Sequence, residues 1–306
     1  MLIDPRHLEH LAVIIDVGTL QLAAVKIGTS QPALSRMISN LEKRIETPLF
    51  ERSTRPIKPT PIGLELAQQG RSIRTARLRA AEVVDLGARG YLGILKIGAP
   101  PFLCKNLMSE AIASFLSARP NVRIDLIPDY QVGLMERVYL NQVDIAVGPS
   151  KFVAEGDTDL ILDPLFKDRN VIVGRKDHPL LQAACTSTTE FSDATWVGHS
   201  EKSTLRADME ASLRQIGVIN PAVACQSGSA EAVLELLRVT NFLTVLPRYA
   251  IRPDGSDGLT VAKFRIPSQE LEINAISLVS RTETSLATDF KRHLKTQVSA
   301  RYSSGV

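Results

Sequence analysis

The sequence predicts an α/β chain in two parts: an all-α head continued by a long linker helix, and then a larger two-lobed α/β domain. Three observations predict it. Apolar residues recur at helical spacing from residue 5 to about residue 86. Glycines at 87, 90 and 93 then interrupt that pattern. Beyond them, short apolar runs alternate with amphipathic segments, as in successive β-α-β units. A chain of 306 residues can bury large cores in two or three units, and 44% hydrophobic with 23% charged residues is ordinary for a soluble protein.

In the head, residues 5 to 17 read as an opening helix with Leu8, Leu11, Ile14 and Ile15 at helical spacing. Residues 19 to 44, TLQLAAVKIGTSQPALSRMISNLEKR, read as two short helices with a tight break. Gly28 ends the first, because a helix stop favours a residue free to adopt positive φ. Thr29 or Ser30 caps the second, and Pro32 sits where its missing N–H costs nothing. Leu34, Ile38, Leu41 and Ile45 form one apolar stripe, and Gln31, Ser35, Arg36, Ser39, Asn40 and Lys43 form the opposite face. An ordinary helical hairpin with a solvated face has the same pattern. Gln, Ser and Arg at the exposed end of a half-buried helix also suit a DNA major groove.

The next stretch favours the second reading. PLFERSTRPIKPTPIG, residues 48 to 63, sets Arg52, Arg55 and Lys58 among prolines, a poor core element but a good wing along phosphates or into a minor groove. The charge agrees: residues 30 to 79 hold ten Lys/Arg against four Asp/Glu, a net of +6, where the whole chain carries +3. From Pro61 a helical pattern runs to about Leu86, with Ile62, Leu66, Gln69, Ile73, Ala76, Ala80, Val83 and Val84 as a stripe. With no head core left to cover, that stripe is expected to pair with a second copy.

The larger domain begins with strand 94–98, helix 102–117, strand 122–127, helix 132–140 and strand 143–148, a series expected to form a parallel sheet with right-handed crossovers. A strand at 170–175, the WVGHS segment at 196–200, helix 203–216, strand 222–226, helix 229–238 and strand 242–246 repeat it, and a strand at 271–279 and helix 284–298 close the chain. Two such lobes resemble the periplasmic binding-protein architecture, with crossovers expected near 163–168 and 264–269. Ligands of open α/β sheets sit beyond the carboxyl ends of the strands. That rule nominates Pro100, Pro101, Phe102, Tyr130, Gln131, Ser150, His199, Ser200, Gln226 and Ser227, with helix N-termini at 102 and 229 open to an anion. Trp196 is expected in the core. His199 is either a pH-dependent ligand contact or polar surface.

SQPALSRMISNLE, then PLFER, then RPIKPTPIG, resembles the winged helix-turn-helix of the LysR-type transcriptional regulators. The likeness extends over nearly the whole chain through LKIGAP (95–100), VDIAVG (143–148), VIVGRKDHPL (171–180) and FLTVLP (242–247). It implies a DNA-binding domain at 1–62, a dimerising linker helix at 63–90 and an effector-binding domain at 91–306, with lobe I at about 91–163 and 269–306 and lobe II at about 164–268. It implies that Gln31, Ser35 and Arg36 reach base edges and that Pro32 touches a thymine methyl or sugar. Thr29, Ser30, Arg52 and Lys58 would hold phosphates, and Arg55 would enter a minor groove. The implied partners are an interrupted inverted repeat in double-stranded DNA, a small-molecule effector between the lobes, and further copies as homodimer or homotetramer. RNA polymerase is a further candidate. Many such regulators carry Ser or Thr where this chain has Phe102. That substitution, with the preceding Pro-Pro pair, points away from a carboxylate held there and toward a larger, less charged ligand or a plugged pocket.

Other classes find less support in the residues. No Gly-rich phosphate loop, nucleophile elbow or metal cluster points to an enzyme, cofactor or metal. A plain solute-binding protein is at odds with the basic head. A cytoplasmic sensor working through cysteines remains the alternative: Cys104 falls in the first turn of a helix, where a thiolate is stabilised, but Cys104, Cys185 and Cys225 show no pairing. The start, MLIDPRHLEH, lacks the apolar core of a signal peptide, and LAVII is too short to span a bilayer, so a cytoplasmic location and no membrane partner are expected.

Overall fold

The structure, a computed structural model, describes all residues except 1, 52–56, 183–187, 202, 253, 265, 268–269, 281–282 and 303–306. The chain divides into two compact units, Met1–Leu92 with Tyr139–Gln142, and Gly93–Val138 with Val143–Val306.

In the first unit, α1 (Pro5–Val17), α2 (Leu20–Ile27) and α3 (Gln31–Ile45) pack around Leu11, Ile14, Ala23, Ala24, Leu34, Ile38 and Leu41. Each helix start is fixed by a side chain: Asp4, Thr19 and Ser30 accept from the N–H of Arg6, Leu22 and Ala33. Ser30, not Thr29, is therefore the cap of α3. The break between α2 and α3 turns on Gly28 at φ 76°, where a β-carbon would be strained.

The long helix α4 (Pro61–Ala88) corrects one expectation, because its first half does have a head core to cover. Ala67 is fully buried in the head, and α4 lies backbone to backbone on its neighbours. A β-carbon at Gly70 would sit 2.0 Å from the Leu8 carbonyl oxygen, and one at Gly63 would sit 2.3 Å from that of Leu49. Asp16 of α1 accepts from both Arg71 and Arg74, and Glu9 from Arg77, along the same seam. The second half is different: Leu78, Val83 and Val84 are 58%, 62% and 74% exposed.

In the second unit, β1 (Gly93–Ala99), β2 (Val122–Pro128) and β3 (Ile145–Pro149) are parallel, linked by helices as expected. The helix read at 102–117 is divided into α5 (Pro101–Leu103), a π-helical turn at Cys104–Met108, and α6 (Ser109–Ser117); α7 spans Gln131–Tyr139. The sheet is not wholly parallel. Its order is β2-β1-β3-β10-β4, and β10 (Leu271–Leu278) runs antiparallel to both β3 and β4 (Leu160–Asp168). Strand β4 fills the segment where a crossover was expected, so the chain leaves the first lobe only at 168–170. Pro164 is tolerated because β4 is an edge strand and the register slips beside it.

The second lobe has β5 (Asn170–Arg175) between β8 (Thr244–Pro247) and β9 (Leu259–Val261), antiparallel to both. Beside them lies the parallel pair β6 (Thr195–His199) and β7 (Ala222–Ser227), tied in by a bridge from Trp196 to Leu243. Helices α8 (Pro179–Gln182), α9 (Thr204–Gln215) and α10 (Ala230–Val239) complete it, and α11 (Ser285–Tyr302) returns to the first lobe. Trp196 is fully buried, as expected. One hydrophobic core runs through both lobes: Phe102, Leu103 and Leu107 from the first join Val233, Leu246 and Tyr249 from the second.

Three substitutions test this packing. Gly70→Ala forces α4 off α1 and lowers head stability by about 1–3 kcal/mol in denaturant melts. Gly87→Ala, with nothing within 4 Å of the new carbon, stabilises by about 0.5–1 kcal/mol. The third concerns Asp168, at the crossing between lobes, where it accepts the Tyr249 N–H at 3.0 Å. Burial pushes its carboxyl up to about 6 from 3.8. A carboxyl raised on folding favours the fold in acid, and that contribution is lost as pH rises through about 6. Relative to its value in acid, Asp168→Asn should therefore gain stability over the native chain as pH rises from about 4 to 6 and hold that gain above, by on the order of 2–3 kcal/mol, in thermal melts from about pH 3 to 8.

Candidate nucleic-acid interface and effector cleft

Helix α3 is amphipathic in the way its sequence requires. Leu34, Ile38 and Leu41 point into the head core, while Gln31, Pro32, Ser35 and Arg36 are exposed together with Thr29 and Ser30 at the helix start. Ser30 Oγ accepts from Ala33, which leaves its proton to donate outward. Arg36 has no ion-pair partner among the described residues, so its guanidinium fork is available to a base edge or phosphate.

The wing stem follows directly. Phe50 bridges Pro59, Glu51 N–H donates to the Lys58 carbonyl at 2.9 Å, and Thr60 N–H donates to that of Leu49 at 3.0 Å. A feature the sequence did not announce joins stem to helix: Glu42 Oε1 of α3 accepts from Leu49 N–H at 2.7 Å and Phe50 N–H at 3.3 Å. Lys58 is exposed at the base of the wing, whereas Arg52 and Arg55 lie outside the described residues.

The effector candidates are distributed over several places. Pro100 and Phe102 are buried, and Phe102 packs edge-on against His199 across the lobes at 6.3 Å between centroids. His199 is neither surface nor solvated. It is 2% exposed, with Nε2 3.1 Å from the Val245 carbonyl and 3.2 Å from Thr244 Oγ1, and burial pushes its pKa down, so the ring is neutral. Tyr130 Oη donates to the Gly228 carbonyl across the lobes at 2.6 Å, and Gln131 Nε2 donates to the carbonyls of Lys151 and Phe152. The lobes are further tied by Lys105–Glu231 at 3.0 Å and Lys151–Asp208 at 2.5 Å.

Ser150 lines a cavity of about 290 Å³ with Asn170, Asp208 and Glu272, while His199 and Gln226 line a separate one of about 480 Å³ in the second lobe. Pro101, Ser200 and Ser227 line neither.

At the helix start near 229, Ser229 Oγ accepts from Ala232 N–H; at 102, the N–H groups of Leu103 and Cys104 donate to the Pro100 carbonyl. One expectation about this region fails. Cys104 is not an activated thiol. It is buried, donates to the Ala99 carbonyl, and burial pushes its pKa up to about 12. Cys185 lies outside the described residues and Cys225 is half-buried. Among the described residues no helix is long and apolar enough to cross a membrane.

The Glu42 carboxylate generates a prediction of its own. Glu42→Ala leaves two wing N–H groups without their acceptor, costing about 1–3 kcal/mol and raising amide exchange at Leu49 and Phe50 above that of the other head amides.

Comparison with known proteins matches both parts of this architecture. Residues 5–64 match the family model described as bacterial regulatory helix-turn-helix protein, lysR family, and residues 88–299 match the LysR substrate binding domain. The chain is 24% identical over 294 residues to the HTH-type transcriptional regulator MetR of Haemophilus influenzae, covering 95% of this chain and 93% of that one. It is 29% identical over 216 residues to the transcriptional dual regulator GltC of Bacillus subtilis, covering 70% and 71%. Its fold matches full-length CbnR complexed with its target DNA, with a TM-score of 0.64 at 16% identity over 96% of this chain and 100% of that one. It also matches a full-length OxyR from Pseudomonas aeruginosa, with a TM-score of 0.61 at 18% identity over 99% and 96%. With a helix-turn-helix head and a substrate-binding domain matched over most of its length, the chain belongs to the LysR family of DNA-binding transcriptional regulators.

Proposed function

We propose that two copies of this chain read an interrupted inverted repeat in double-stranded DNA, and that an effector held between the lobes sets the geometry of the two heads. The observation that carries the reading is the division of α3: three core residues on one face, and Gln31, Ser35 and Arg36 exposed together at its N-terminal end. In this reading those three meet base edges, Pro32 meets a thymine methyl or sugar, and Thr29, Ser30, Arg52 and Lys58 hold phosphates. Arg55 enters the minor groove. The exposed Leu78, Val83 and Val84 of α4 supply the seam between copies, in a homodimer or in a homotetramer of paired dimers. RNA polymerase is the further partner at the promoter.

Regulation in this scheme is a population shift, which requires a ligand to favour one lobe arrangement over another. The polar contacts across the lobes on which such a shift would act are the Tyr130–Gly228 hydrogen bond and the two ion pairs. Phe102 lies buried against His199, so a ligand entering there must displace the ring or bind beside it, which favours an uncharged compound over a carboxylate.

The test is genome-wide mapping of sites bound by purified protein on fragmented source DNA, with Arg36→Ala as control. Sites sharing an inverted repeat are expected for the native chain. Arg36→Ala should cost about 1–3 kcal/mol and relax specificity at one position of each half-site. Lys58→Ala should weaken binding evenly across sequences and reduce the salt slope by about 1. Uniform binding that ignores Arg36→Ala would refute the assignment of α3.

A further inference from the structure

The cavity of about 480 Å³ in the second lobe lies between α9, the turn after it, and strands β6 and β7. All its lining residues belong to that lobe, so it is separate from the cleft between lobes. Its walls combine two kinds of chemistry. Val218, Ile219 and Val223 give an aliphatic side, with Ile219 74% exposed at the mouth. Arg206 and Arg214 of α9 give a cationic side. Glu210, the one acid in the lining, is already held by Arg206 at 2.9 Å. Arg214 donates through Nε to the Glu210 carbonyl at 3.3 Å and has no carboxylate partner among the described residues. Arg206 is also paired with Glu201, outside the lining, at 3.2 Å, so Arg214 is the cation that sits without a carboxylate beside the apolar wall, in a volume of the size small-molecule sites use.

We propose that this pocket is a second ligand site, and that it takes a small carboxylate with an aliphatic body, the carboxylate on Arg214 and the chain against Ile219 and Val223. Its floor is His199, whose ring packs on Phe102 of the other lobe, so occupancy acts on the wall of the cleft. That coupling rests on the cleft being the effector site; occupancy of the pocket does not.

The experiment is methyl NMR of the full-length chain, observing Ile219 and Val223 while hexanoate, hexan-1-ol or hexylammonium is added in turn. Saturable shifts with hexanoate in the millimolar range are expected, with hexanol weaker and hexylammonium silent. Arg214→Gln should weaken hexanoate about tenfold, as loss of one charge-assisted hydrogen bond implies. Ile219→Glu, at an exposed position, should do the same by placing like charge at the mouth and serves if the first variant does not fold. Absence of saturable shifts overturns the proposal, whether the pocket is empty or covered by a second copy. So does equal response to hexylammonium, or unchanged affinity in both variants. Shifts at Ile219 with none at the Phe102 ring, followed through its aromatic resonances in the same titration, would overturn the coupling alone and leave the site standing.

Discussion

The head depends on how closely α4 can approach α1. A helix interior carrying Gly63 and Gly70 exposes bare backbone there, and the carbonyls of Leu49 and Leu8 occupy the space that side chains would take. Because the helices meet at that distance, Asp16 can reach both Arg71 and Arg74, and Ala67 can close the core over Leu11 and Ile14. The same seam sets where α3 stands, since α1 and α3 share that core. The orientation of the reading surface is thus governed by two glycines remote from it. Small residues in a long helix look like weak points on propensity alone, but here they are where the helix joins the head.

In the larger unit the corresponding constraint is the shared core between lobes. Phe102 leaves the first sheet just past β1 and is buried against His199 of the second, for which polar surface was one of the two readings. Burial keeps the imidazole neutral and its Nε2 near the Val245 carbonyl, so His199 acts as a wall between two spaces. The polar contacts across the lobes surround this apolar centre. Tyr130, Lys105 and Lys151 each reach across from loops or helix starts at the carboxyl ends of strands, the positions where such folds hold ligands.

Much of this was readable in the residues because it rests on local rules. Spacing gave the stripe of α3, Gly28 gave the turn, and Pro61 gave the start of α4. Most strands of the α/β domain fell within a residue or two of expectation. What escaped depends on partners distant in sequence. LILDPLFKD, with a central proline and broken alternation, does not look like a strand until β10 lies beside it with a register slip. Glu42 sits among polar residues of α3 and is distinguished only by the wing amides it meets. His199 and Cys104 were judged by their neighbours in the chain, whereas their chemistry is set by burial, which only the fold determines.

The ion pairs that hold the lobes together lie near the surface, with Glu231 and Lys151 exposed and Lys105 and Asp208 half-buried. Ionic strength therefore weakens them by screening, just as it weakens the hold of a basic head on phosphates. Dissolved salt acts on both ends of the molecule at once, loosening the sensor as it loosens the grip on DNA.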